Sequence, residues 1–146
     1  MEFGFINLCN AVIMLVILVP NWIYAAKGGV DVKAEDPRLT MLEQLGRYAS
    51  MALMILPVGV WKFGFPNVLA MLIYLAGNSV LLLTYLIAWG FFLRKKTNCR
   101  AMLLAVVPVC IFLLTGLCLH HWLLAGAGVL FGICHISITC RNRKPE

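Results

Sequence analysis

The side chains with the widest chemical reach in this 146-residue chain are mostly uncharged, and they recur at helical spacing inside apolar runs. Across residues 67–93, at about 100° per residue, Asn67, Met71, Tyr74, Asn78, Tyr85 and Trp89 fall on one narrow helix face. The rest of that run is largely Leu, Ile, Val and Ala. Asn7, Asn10, Met14 and Asn21 share a face in the first apolar run. Glu43, Arg47, Ser50, Met54, Pro57 and Trp61 share one in the second, and Gly128, Gly132, His135 and Thr139 share one in the last. A polar stripe on a membrane helix turns away from lipid towards its neighbours. If the stripes converge, Asn7, Asn10, Tyr74, Asn78, Tyr85 and His135 line a neutral, hydrogen-bonding interior. Such a lining suits the binding or passage of a small polar solute. The same residues also serve as interhelical glue, satisfying one another and backbone carbonyls. Residue types and spacing leave both readings open.

No Asp, Glu, Lys or Arg is expected in the middle of a span, so His135, whose ordinary pKa lies near neutrality, is the group that could carry a proton there. Glu43 and Arg47, one helical turn apart, form an ion pair at the cytoplasmic rim. Gly128 and Gly132 form a G-x-x-x-G pair, which lets another helix backbone approach closely. His120 and His121 are read as a solvated turn, because a good metal site draws ligands from more than one element. None of the six cysteines stands in a C-x-x-C pair. No P-loop, H-E-x-x-H, G-x-S-x-G or dinucleotide fingerprint is present. The chain proposes no nucleophile with a base in reach, no metal site and no cofactor, so an enzyme is not the expected reading.

The elements that must position these residues follow from composition. Hydrophobic residues make up 62% of the chain and charged ones 12%, against about 25% charged in a soluble domain. The expected fold is all-α, a single integral membrane bundle of five transmembrane helices. The spans are about residues 3–25, 45–63, 67–93, 101–119 and 123–140, with cytoplasmic loops at 26–44 and 94–100. The uncharged stretch 101–140 is too long for one crossing, and His120-His121-Trp122 divides it into two. The first run is read as a retained anchor, because a signal peptide needs a basic n-region and this one carries only Glu2. Pro20 should kink or end it, with Asn21 beside it to satisfy a freed backbone group. At the second helix two starts compete: Asp36-Pro37 as N-cap and first turn, and a capping box from Thr40 to Glu43. A tight turn at residues 62–67 predicts an antiparallel hairpin of spans two and three. Arg47…ILPVGVW and Arg100…VVPVCIF suggest a faint repeat of hairpins two–three and four–five.

Five spans gather Lys27, Lys33, Arg38, Arg47, Arg94, Lys95, Lys96, Arg100, Arg141, Arg143 and Lys144 on one side and leave Lys62 on the other. The positive-inside rule then puts the N-terminus outside and the C-terminus in the cytoplasm. The net charge of +6 is absorbed by this pattern and by contact with anionic membrane lipids, and nucleic acid is not an expected partner. The segments INLCN, VPNWIYA, EQLGRYA and WKFGFPNVLAMLIYLAGN together resemble a family of small multipass bacterial membrane proteins to which no activity is attached. That resemblance implies the bacterial cytoplasmic membrane and assigns no functional residue. The function expected is a small polar-solute permease or binding component, self-associated or joined to a partner membrane protein. The alternative is a structural or accessory subunit of a larger membrane complex, docked through the glycine face of the last span.

Overall fold

The computed structural model describes residues 2–3, 7–27, 36–56, 58–60 and 63–142. Five helices dominate: α1 (Leu8–Ala26), α2 (Pro37–Ile55), α3 (Val68–Arg94), α4 (Asn98–Cys118) and α5 (Trp122–Arg141). Two short strands, β1 (Glu2–Phe3) and β2 (Phe63–Gly64), pair antiparallel. All helices except α2 are long and apolar enough to cross a membrane.

Local chemistry sets the helix limits. Asn7 caps α1 by accepting from the Asn10 N–H at 3.0 Å, and Asn67 caps α3 by accepting from Ala70 at 2.8 Å. Of the two competing starts of α2, Asp36 with Pro37 wins; the Asp36 carboxylate accepts from the Arg38 N–H. The helix ends at Ile55, well short of the expected limit at 63, and the chain extends at Leu56 (φ −106°, ψ 137°). A residue before proline is pushed out of the helical region, and Leu56 precedes Pro57. The α2 helix is therefore shifted towards the N-terminus. It takes in Arg38, Glu43 and Arg47, which lowers its apolar character. Pro57, Trp61 and Lys62 lie outside the described residues. Helix α1 runs through Pro20 to Ala26 without ending there. Proline leaves the Val16 carbonyl without its helical donor, yet the Asn21 amide donates to the next carbonyl, Ile17, at 2.8 Å.

The turn between α4 and α5 is a Schellman motif. The His121 N–H bonds the Gly116 carbonyl at 2.7 Å and the His120 N–H bonds Leu117 at 3.2 Å. His120 occupies the left-handed position (φ 52°) that glycine fills most easily. The side chain of His120 is exposed, so His120→Gly is expected to stabilise the bundle by about 1 kcal/mol. Thermal unfolding in detergent checks this: a raised midpoint is the expected result.

Packing closes the helices into a ring. The largest contacts are α2 with α5, α5 with α4, and α4 with α3, while α1 lies against both α2 and α3. Consecutive helices alternate in direction. The N-terminus of α1 meets the C-terminus of α2 through the Asn7 N–H to the Ile55 carbonyl at 3.2 Å. The expected hairpin of helices two and three does not form as a packed pair. The connection between them is held by β1 from the chain's start, α2 goes to α5, and α3 goes to α4. This removes the proposed hairpin repeat. Alternation also sorts charge: among the described residues, every Lys and Arg except Arg47, which lies inside α2 against Phe131, is at or near the end that carries the α2 N-terminus and the α3 C-terminus.

The surface is apolar where the interior is polar. On α3, Leu72, Leu75, Val80, Leu83 and Leu86 are exposed while Tyr74, Asn78 and Tyr85 are buried. Exposed apolar faces of this extent on four long helices are compatible with a multipass membrane protein.

Candidate functional site

The structure brings most of the candidate residues together, but at two separate places. The first lies between α1, α2, α3 and α4. Asn10, fully buried, donates from Nδ2 to the Met54 carbonyl at 2.7 Å. Met54 is in the last turn of α2, whose final carbonyls have no helical donor. The positive end of α1 thus meets the negative end of α2, which is the favourable arrangement of two helix dipoles. The Tyr74 hydroxyl donates to Asn10 Oδ1 at 2.5 Å. Asn78 donates to the Tyr74 carbonyl at 3.0 Å and to Thr115 Oγ1 on α4 at 3.3 Å. The chain Thr115–Asn78–Tyr74–Asn10–Met54 therefore ties four helices. Further along α1, Asn21 donates to the Tyr85 oxygen at 2.7 Å, and the Tyr85 hydroxyl donates to the Ile17 carbonyl at 3.3 Å. Tyr24, Trp89 and Phe92 continue that contact as an aromatic cluster.

The second place is the contact of α2 with α5. Glu43 is 3% exposed. Its Oε1 lies 2.9 Å from His135 Nδ1 and also pairs with the Arg47 guanidinium. His135 stacks on Phe131, with ring centroids 4.8 Å apart and planes at 22°. The Arg47 guanidinium lies 5.8 Å from the centroid of the same ring. Gly46, one turn beyond Glu43, makes the close approach possible: a Cβ there would stand 2.8 Å from the Phe131 backbone nitrogen and 2.9 Å from its Cα. His135 is thus separated from the asparagine–tyrosine interior with which it was grouped, and joins the Glu43–Arg47 pair, which lies inside α2. Arg47 remains half-exposed, so the cluster is open on one side. It presents a carboxylate, an imidazole and a guanidinium, with a permanent cation beside the carboxylate.

The glycine face of α5 is already occupied. A Cβ at Gly132 would meet the Val109 side chain at 2.7 Å, and one at Gly128 would meet Phe112 at 3.3 Å. Both are on α4, so the G-x-x-x-G pair packs helices within the chain. His121 is fully buried and caps α5, with Nδ1 accepting from the Leu124 N–H at 3.1 Å. It is no solvated turn residue. Burial pulls its pKa below the ordinary 6.5, which keeps the ring neutral and Nδ1 able to accept. Among the described residues no group of His, Cys, Asp and Glu is placed to hold a metal ion.

Sequence reasoning missed Thr115 and Phe131. Thr115 is the lone hydroxyl within α4, and its fit to Asn78 depends on helix register. Phe131 is one apolar residue among many until Gly46 brings α2 against it. Comparison of the chain with known protein families, curated proteins and solved structures finds no match. The class that the fold defines is a small helical bundle with a polar interior and an apolar exterior.

Proposed function

We propose that this chain is a five-span protein of a bacterial cytoplasmic membrane, N-terminus outside and C-terminus in the cytoplasm, acting as a binding component or permease for a small polar solute. The gathering of the described Lys and Arg, Arg47 apart, at one end of the alternating helices supports the orientation. That end also supports α2 as the remaining span, entering the membrane from a polar first half. The observation that carries the functional reading is Glu43. A carboxylate 3% exposed in an apolar bundle is expensive to keep, and here it is shared by an imidazole from another helix and a guanidinium from its own. Arg47 and His135 leave the cluster a partly open side, where a hydrogen-bonding solute can reach it.

The accessory-subunit reading is favoured by one observation: Asn10, Tyr74, Asn78 and Tyr85 hydrogen-bond to one another's helices and to backbone, although Asn7 Nδ2 and Asn78 Oδ1 are left without a partner. Since α4 covers the glycine face of α5, a partner would have to dock on an outer apolar face of the bundle instead. Native mass spectrometry of the protein extracted gently from its membrane separates the readings. A retained small polar molecule is the expected result. A stoichiometric protein partner with no small molecule would replace the permease reading with the accessory one.

A further inference from the structure

We propose that the outer face of α3 near its C-terminal end holds one anionic phospholipid. An open groove of about 240 Å³ lies there, lined by Ile87, Gly90, Phe91 and Arg94. Its floor is Gly90, where a Cβ would meet nothing within 4 Å. Ile87 and Phe91, one turn apart on the same face of α3, line it and are each 51% exposed. The groove therefore runs along an apolar helix face and ends at a guanidinium. That shape and charge match a lipid acyl chain below an anionic headgroup at the membrane boundary.

The surroundings deepen the match. Arg100 donates to the Phe91 carbonyl at 2.8 Å and to the Lys95 carbonyl at 2.9 Å, and its guanidinium lies 5.5 Å from the Phe91 ring centroid. It closes the carbonyl end of α3, steadies one wall of the groove and adds positive charge beside it. Lys96 turns towards α1, its Nζ 5.1 Å from the Tyr24 ring centroid. Arg94, which lines the groove, is exposed, and so is Lys95, the next residue in the chain. The described carboxylates nearest this end, Asp36 and Glu43, belong to α2, which packs on α5 and α1. A free phosphate would use Arg94 alone and leave the slot empty, so the occupant is a lipid. The site is independent of the Glu43 cluster.

The test titrates the purified intact chain in detergent with phosphatidylglycerol or phosphatidylcholine of the same acyl chains, read by native mass spectrometry. The expected result is one phosphatidylglycerol per chain, bound in preference to phosphatidylcholine. Arg94→Gln should weaken phosphatidylglycerol roughly fivefold and leave phosphatidylcholine unchanged. Gly90→Leu should reduce both lipids, because it fills the slot. Gly126→Leu, at another position where a Cβ meets nothing, should change neither. Circular dichroism confirms that each variant is folded. Graded binding of many lipids unaffected by Gly90→Leu would overturn the proposal, and so would displacement of the lipid by glycerol phosphate alone.

Discussion

Gly46→Leu is expected to destabilise the bundle by about 3 kcal/mol, the upper part of the range for overpacking. The reason is the identity of the neighbour. A Cβ at Gly46 would stand 2.8 Å and 2.9 Å from backbone atoms of Phe131, and backbone cannot swing aside as a side-chain tip does. Any larger residue must push α2 away from α5, the most extensive helix contact in the molecule. The same shift would pull Glu43 from His135. Thermal unfolding followed by circular dichroism should show a large drop in midpoint, while Gly126→Leu on the open face of α5 should leave it near wild type. Equal midpoints for the two variants would mean that α2 does not lie on α5 at Gly46.

Asn10→Leu is expected to cost about 2 kcal/mol. The substitution leaves the Met54 carbonyl and the Tyr74 hydroxyl buried without their partner. Interhelical hydrogen bonds in membranes average about 0.6 kcal/mol and reach about 1.7; an unpaired buried group costs about 1–3. The two losses together lie between those limits. A double-mutant cycle with Tyr74→Phe isolates the Asn10–Tyr74 bond, and a coupling of about 1 kcal/mol is expected. No coupling would detach Tyr74 from Asn10.

How far the sequence went can be judged from single residues. The inward stripe of α3 was legible because helical period and membrane exclusion act on the same residues: Tyr74, Asn78 and Tyr85 are the polar members, and all three are buried. The limits of α2 were not. An apolar window ran on to residue 63, whereas the backbone restriction imposed by Pro57 on Leu56 ended the helix first. The hairpin of helices two and three failed for a non-local reason: α2 packs on α5, with Gly46 against the Phe131 backbone, and α3 packs on α4. Pairing of stripes was beyond reach as well. His135 and Tyr74 carry similar polar signals, but which helix faces which depends on close-approach points such as Gly46 and Gly132, and a glycine announces closeness without naming the neighbour. Glu43 and Arg47 were legible as a pair through their i, i+4 spacing; the third member was not.

The division of labour follows from these contacts: Asn10, Tyr74, Asn78 and Thr115 hold helices together, and Glu43, Arg47 and His135 are proposed to meet the solute. Solute retention by native mass spectrometry, measured with the unfolding midpoint on wild type, Asn10→Leu and Glu43→Gln, tests that division most directly. The account predicts that Asn10→Leu keeps the solute with a lowered midpoint, and that Glu43→Gln, which keeps a hydrogen-bonding side chain opposite His135, loses the solute while remaining folded. Loss of the solute from Asn10→Leu together with retention by Glu43→Gln would contradict it and return the chemistry to the asparagine interior.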